Sequence, residues 1–308
     1  MKRTIFFNII LSAAVVASAA SFPFLGPSEW TDFFKKGSKA TVVASTKKAT
    51  IRRAVQPFSA IENYGSIDVS VERANTDEVE ISGPDNIVGF VECQVSGKSL
   101  KIRMSNKTSY TIKKGAPDLK VKVRMRSSLD EVKSHGSGDF VCDKSVDWGN
   151  DAKIVANGSG DMSFHSIATQ QGRFSFNGSG DIKIDEIKAR TATVSSTGSG
   201  DLSVKNVDIE NLVVSLNGSG DVGILKAKSS AMQLSLNGTG DITTQHCDCN
   251  TVQSTLTGTG DINIAGRCVH ASYSLHGTGD INARQLSAQS VNLRVTGTGD
   301  VNYAKPKK

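Results

Sequence analysis

The sequence predicts an all-β protein: a parallel β-solenoid with about 20 residues per coil, preceded by a more irregular β region. Three observations lead there. A Gly-Ser/Thr-Gly-Asp motif occurs nine times, its first glycine falling at Gly136, Gly158, Gly178, Gly198, Gly218, Gly238, Gly258, Gly277 and Gly297. The spacings are 22, 20, 20, 20, 20, 20, 19 and 20, and a fixed period in that range marks stacked structural units. Apolar residues alternate strictly on both sides of each motif, the period of a half-buried strand and not of a helix. Finally, the 308 residues include 29 glycines and only 6% aromatic residues, which suits a thin, repetitive interior.

Residues 1–20 read as a secretory signal: Lys2 and Arg3, an apolar stretch from Ile5 to Val16, then the small residues Ala17, Ser18, Ala19 and Ala20 for cleavage. That stretch is too short for a retained anchor, and no later segment is apolar enough to span a bilayer. No cysteine follows the cleavage point to carry a lipid. The mature chain is therefore expected to be exported, to the periplasm, the cell surface or the exterior. Residues 21–50 mix Pro, Gly, Ser and Lys with Phe22, Phe24, Trp30, Phe33 and Phe34, show no sustained period, and read as a leader or tether.

Residues 51–133 carry short alternating runs, "SIDVSV", "EVEISG", "SLKIRM" and "LKVKVRM", separated by turn-rich pieces such as "SGPDN" and "KKGAPD". These are half-buried strands, expected as irregular coils or a cap of the solenoid. Residues 134–304 are the repeats. Apolar residues sit two and four places before each first glycine (Phe176 and Phe174; Leu216 and Val214; Val295 and Leu293). Others sit one and three places after its Asp (Ile182 and Ile184; Leu202 and Val204), with a further apolar position near Ile167, Ile187 and Val207. Each unit reads as two short strands and two bends, with both glycines facing inward and Ser/Thr and Asp outward. One coil cannot bury its apolar row alone, so the coils stack, rising roughly 40 Å over the nine. Residues 305–308 form a basic tail.

"FSAIENYGSIDVSV" (58–71), "LKVKVRMRSSLDEVKSHGSGDF" (119–140) and the run of coils together resemble the bacterial auto-transporter adhesin, head GIN domain family, over about residues 52–304. The resemblance implies a right-handed β-helix and an adhesin-like exported protein, and it carries over no catalytic residues. The C-terminal membrane barrel of an autotransporter is not expected in a chain that reads "VNYAKPKK" after its last coil.

Net charge is +6 and unevenly spread: residues 101–133 hold ten Lys/Arg against three Asp/Glu, whereas residues 134–304 hold 12 against 17. Two surfaces follow from this. Lys120, Lys122, Arg124 and Arg126 share one face of a strand, and Lys101 and Arg103 share another. Paired side by side, these strands would offer six cations to an acidic polysaccharide, lipopolysaccharide phosphates or an envelope protein; the alternative is a solvated face that discourages edge pairing. Nucleic acid is not expected, since no aromatic stacking pattern accompanies the cations.

The second surface is the stack Asp139, Asp161, Asp181, Asp201, Asp221, Asp241, Asp261, Asp280 and Asp300. It is read as a structural ladder in which each carboxylate accepts hydrogen bonds from bend amides or hydroxyls. A bound cation such as Ca²⁺ is the alternative, although the G-G-x-G-x-D pattern of calcium solenoids is missing. His135, Asn157, Asn177, Thr197, Asn217, Asn237, Thr257, His276 and Thr296 precede the motifs and read as a polar ladder.

Of the five cysteines, Cys93, Cys142, Cys247, Cys249 and Cys268, Cys142 falls at an inward position. Cys268 lies one coil from both Cys247 and Cys249, which makes a bridge to one of them the preferred reading. "HCDC" and "CVH" leave zinc as the alternative. No cofactor is expected. Coil lengths vary too little to build a catalytic cleft, and no nucleophile–base pair is legible, so the chain reads as a non-enzymatic binding or structural protein of the cell envelope. A polysaccharide-processing β-helix enzyme using the stacked carboxylates is the other reading.

Overall fold

The computed structural model describes residues 40–106 and 108–306. The expected signal and the tether up to residue 39 lie outside them, as do Lys307 and Lys308 of the basic tail.

The described residues form 21 strands. In order they are β1 (Ala40–Val43), β2 (Lys48–Ala54), β3 (Ala60–Gly65), β4 (Asp68–Arg73), β5 (Glu78–Pro84), β6 (Val91–Ser96), β7 (Ser99–Met104), β8 (Thr108–Thr111), β9 (Lys120–Met125), β10 (Leu129–Gly136) and β11 (Phe140–Cys142). The repeats continue with β12 (Trp148–Ala156), β13 (Met162–Ala168), β14 (Gln171–Phe176), β15 (Ile182–Ser196), β16 (Leu202–Leu216), β17 (Val222–Leu236), β18 (Ile242–Leu256), β19 (Ile262–Leu275), β20 (Ile281–Val295) and β21 (Val301–Tyr303). From β10 onward every pairing is parallel, each strand lying beside its equivalent one coil away. The result is a β-solenoid of about nine turns with roughly 20 residues per coil.

Each regular coil has three strand runs, one more than the sequence reading allowed. β15 pairs with β16 along 182–184, 186–189 and 191–196, and skips Asp185 and Arg190. The sequence of β16 shows why the wall turns at those points. Val204, Val207, Ile209 and Leu212 are buried, but Lys205-Asn206 and Glu210-Asn211 put two polar residues between inward positions. Doubling an outward residue breaks the period of two, and the chain must turn to bring the next apolar side chain inside. The middle run contributes only two inward residues per coil, too few to register as a strand by alternation.

Inward residues form columns along the axis. Phe140, Met162, Ile182, Leu202, Val222, Ile242, Ile262 and Ile281 are successive register partners, and all are buried. Burial of each such side chain stabilises by about 1.5–3 kcal/mol, and the benefit depends on the coil above and below. At the last coil Leu293 and Val295 are 42% and 45% exposed, unlike their equivalents one coil earlier, Tyr273 and Leu275.

The motif glycines serve the stacking, and not the tube or an unusual dihedral. A Cβ on Gly218 would lie 2.0 Å from the carbonyl oxygen of Gly198, and one on Gly220 2.2 Å from that of Gly200. None of the nine motifs has a glycine with positive φ. The steric limit lies between coils, where the Ser219 N–H donates to Gly198 O at 3.1 Å.

Residues 40–136 close the opposite end. β3 and β4 form a coil on which β10 and β11 stack in parallel, joined by the turn Gly65-Ser66-Ile67-Asp68. Beyond that coil lie β7 beside β3 and β9 beside β4, again parallel. Antiparallel strands follow: β6 pairs with β7, β5 with β9 and β2 with β5. The outermost strand β2 carries Lys48, Arg52 and Arg53, charges that disfavour edge-to-edge pairing. β1 and β8 form a separate parallel pair, and with the start of β2 this makes residues 40–43 and 48–50 of the expected tether strand.

Gly218→Ala is expected to lower stability by about 1–3 kcal/mol by forcing two coils apart. Ser219→Ala, on the exposed side of the same turn, should stay within about 0.5 kcal/mol. Chemical denaturation monitored by far-UV circular dichroism measures both.

Candidate binding surfaces

The aspartate ladder is a hydrogen-bonded chain. The Asp161 N–H donates to Asp139 Oδ1 at 2.9 Å, and Asp181, Asp201, Asp221 and Asp241 each donate to the preceding aspartate at 2.8–3.1 Å. Asp261, Asp280 and Asp300 continue it at 2.8 Å. One carboxylate oxygen of each rung is thus engaged by a backbone amide of the next, the arrangement that offsets stacked negative charge without a counter-ion. No cluster of three or more metal-ligating side chains occurs among the described residues.

The ladder has a rung the sequence reading did not count. Asp139 N–H donates to Asp68 Oδ1 at 3.1 Å, so Gly65-Ser66-Ile67-Asp68 is a tenth copy of the corner. Ile67 stands where the other copies have glycine, and it is buried against the cap. Its signal was G-S-x-D followed by the alternating "VSV", with the wrong residue at one position.

The row before the motifs is also linked at its two ends. Asn177 donates to Asn157 Oδ1 at 3.0 Å, Asn157 contacts His135 Nδ1 at 3.3 Å, and His135 stacks on Tyr64 with centroids 5.0 Å apart. At the other end His276 lies between Ser274 Oγ, 2.9 Å from Nε2, and Thr296 Oγ1, 2.5 Å from Nδ1. This hydroxyl–imidazole contact was not legible in the sequence. It sits on the regular outer wall with a second hydroxyl where a catalytic dyad places an orienting carboxylate.

The basic strands do not lie side by side, which corrects the expected six-cation face: β7 is flanked by β3 and β6, β9 by β4 and β5. Their cations are matched by acids on those neighbours. Arg124 contacts Glu72 at 2.8 Å and Glu78 at 2.6 Å, Lys122 contacts Glu72 at 2.9 Å, and Lys120 lies 3.9 Å from Asp68. Arg103 meets Glu92 at 2.9 Å, Lys101 is 3.9 Å from Glu62, and the Arg126 side chain donates to Asn75 O at 3.0 Å. Burial alone would raise the Glu72 carboxyl, but hydrogen bonds from Lys122 and Arg124 outweigh it and hold it below its ordinary value. The hydrogen bond from Arg52 does the same for Glu80.

Cys142 is buried, and burial pushes its thiol up to about 12. All five cysteines are free thiols in the structure, so the expected bridge from Cys268 is not formed there; Cys247, Cys249 and Cys268 all face the interior of β18 and β19.

A hollow that the sequence gave no sign of follows the outer side of the middle run. Two rows of register partners line it: Glu186, Asn206, Lys226 and His246, and Lys188, Asp208, Lys228, Asp248 and Arg267. The second row alternates in sign from coil to coil. Arg267 and Asp248 pair at 2.6 Å, and Lys188 pairs with Glu186 at 2.8 Å. Lys226 and Lys228 have no ion-pair partner within 4.0 Å among the described residues. The open space is about 540 Å³ and adjoins two further hollows of about 590 and 490 Å³ through Asp208, Lys228 and Asp248 in one case and Lys188 and Asp208 in the other.

Fold and surface together define a class: a β-solenoid with a stacked Gly-Ser/Thr-Gly-Asp corner, closed at one end by antiparallel strands. Residues 57–231 and 224–307 match the family described as putative auto-transporter adhesin, head GIN domain. The chain belongs to that family. Its fold is similar to that of a putative adhesin from Parabacteroides merdae, with a TM-score of 0.58 at 21% identity, covering 86% of this chain and 99% of the other. A putative lipid binding protein from Parabacteroides distasonis gives 0.54 at 18%, covering 86% and 100%. A putative adhesin from the same species gives 0.58 at 17%, again covering 86% and 100%. No curated protein matches the chain.

Asp221→Asn keeps an acceptor for the Asp241 amide and should leave Tm nearly unchanged, whereas Asp221→Ala should lower it by about 2–4 °C. Differential scanning fluorimetry distinguishes them. The cap is expected to be acid-sensitive. Glu62, Glu72, Glu80 and Glu131 are all held below the ordinary 4.5 in the folded chain. Their stabilisation is therefore complete above that pH and is lost as pH falls through the lower folded values. Hydrogen exchange should show β2, β5 and β9 opening first on acidification, and Glu72→Gln with Glu80→Gln should flatten that pH dependence.

Proposed function

We propose that the protein is an exported, non-catalytic binding module of the cell envelope that holds an acidic polymer along the hollow beside the middle run. The observation that carries this reading is the continuity of the hollow over several coils, together with Lys226 and Lys228, two cations in it without an ion-pair partner. A polymer laid along the axis meets a new pair of side chains every coil, about 4.8 Å apart, and cations recur in the second row at every other coil, at Lys188, Lys228 and Arg267. Membership of an adhesin family supports export and binding, and so does the signal-like sequence at residues 1–20. The aspartates are engaged by backbone amides, which favours a structural role over acid–base chemistry. Adhesion is the role that fits these features.

Binding of residues 21–308 to polygalacturonate and to lipopolysaccharide, measured by calorimetry at low and high salt, tests the reading. Binding should weaken with salt and fall about tenfold in a Lys226→Glu, Lys228→Glu double variant. Lys120→Gln with Lys122→Gln should leave it unchanged. Loss of binding in that second variant, or none in the first, would move the site off the hollow.

A further inference from the structure

The interior of β18 and β19 departs from the aliphatic columns elsewhere. Thr244 and Ser254 are buried with hydroxyls that have no hydrogen-bond partner among the described residues, Tyr273 is buried opposite Ser254, and three thiols, Cys247, Cys249 and Cys268, face inward at 4%, 5% and 7% exposure. The same stretch holds the one 19-residue spacing among the motifs, from Gly258 to Gly277. The missing residue appears as a register break between Thr244 and Cys247. Gly266 absorbs it with φ +125°, and a Cβ there would lie 2.2 Å from Cys247 O.

Register decides which thiols can meet. Cys249 is the direct partner of Cys268, whereas Cys247 lies opposite Gly266. Direct partners in adjacent strands are about 4.8 Å apart at Cα, inside the 4.4–6.8 Å window of a disulfide. Cys247 and Cys249, two residues apart on one extended strand, are about 6.6 Å apart, at the long edge of that window. We propose that Cys249 and Cys268 form a disulfide that ties β18 to β19 across the short coil, leaving Cys247 as a buried thiol. This rests on the export proposed above for its oxidant, a thiol-oxidising protein or small-molecule disulfide outside the cytoplasm.

The chemistry follows the thiol-exchange route. The Cys249 thiolate attacks a sulfur of the oxidant disulfide and expels one oxidant thiolate. The Cys268 thiolate then attacks the Cys249 sulfur of the mixed disulfide and expels the second. The two cysteines together lose two electrons and two protons, and the oxidant is released as two thiols. Both side chains end inside the tube, so the bond closes as β19 docks.

The test uses residues 21–308 prepared in two ways: recovered after export, and reduced, unfolded and refolded with glutathione disulfide. Each sample is unfolded, alkylated without reduction and digested with trypsin. Cleavage at Arg267 separates Cys268 from the peptide holding Cys247 and Cys249, so the bridge appears as two peptides joined by a reducible link. Fragmentation should place the link at Cys249, with Cys93, Cys142 and Cys247 alkylated. Reduction should lower Tm by about 5–10 °C in the parent and in Cys247→Ser, and not in Cys249→Ser. Five alkylated cysteines in both preparations, or a link at Cys247, would overturn the assignment. A bridge in the refolded sample and none in the exported one would instead overturn its natural occurrence and leave the pairing geometry standing.

Discussion

Everything in this fold depends on how closely one corner can approach the next. At each Gly-Ser/Thr-Gly-Asp turn the backbone rests on backbone: the Ser179 N–H donates to Gly158 O at 3.0 Å, and Ser219 N–H to Gly198 O at 3.1 Å. With no Cβ between them, the turns stack at the same pitch as the strands they join, and all three runs of a coil can pair in register. A corner that needed more room would splay the strands on both sides and open the apolar columns, so the glycines set the conditions under which the hydrophobic interior forms.

The aspartate follows from that stacking. Four-residue turns leave amides pointing along the axis; a glycine carbonyl one coil away accepts from the Ser/Thr amide, and a carboxylate one coil away accepts from the Asp amide. The same geometry explains why the first rung tolerates Ile67. Nothing of the motif lies beyond it, only the strands β7 and β9 that cap the tube, so its side chain can pack where a later copy would collide. A backbone-to-carboxylate chain of this kind is a regular feature of the stack.

How much of this the sequence revealed depended on how local each feature was. The parallel solenoid, its period and the outward aspartates were legible, because each is written in a four-residue motif and the alternation around it. The third run of each coil was not, since the middle wall places only two residues inward, and the tell-tale doublets such as Lys205-Asn206 look like ordinary polar surface. The cation face failed for a different reason: Lys122 and Arg124 do share a face, but their partners Glu72, Glu78 and Glu80 lie 44–52 residues earlier in the chain, and only the pairing of β9 with β4 and β5 brings them together. The hollow with Lys226 and Lys228 is likewise a product of stacking, one side chain from each of several coils.

The central claim is that the corner amides are held by the preceding coil, although the residues that bear them are exposed. Amide hydrogen exchange resolved by residue measures this directly. The amides of Asp181, Asp201 and Asp221 should exchange as slowly as those of the flanking strands, because each donates to the carboxylate one coil back. Exchange at the rate of an open loop would show that the stack is not held at its corners and would contradict the account.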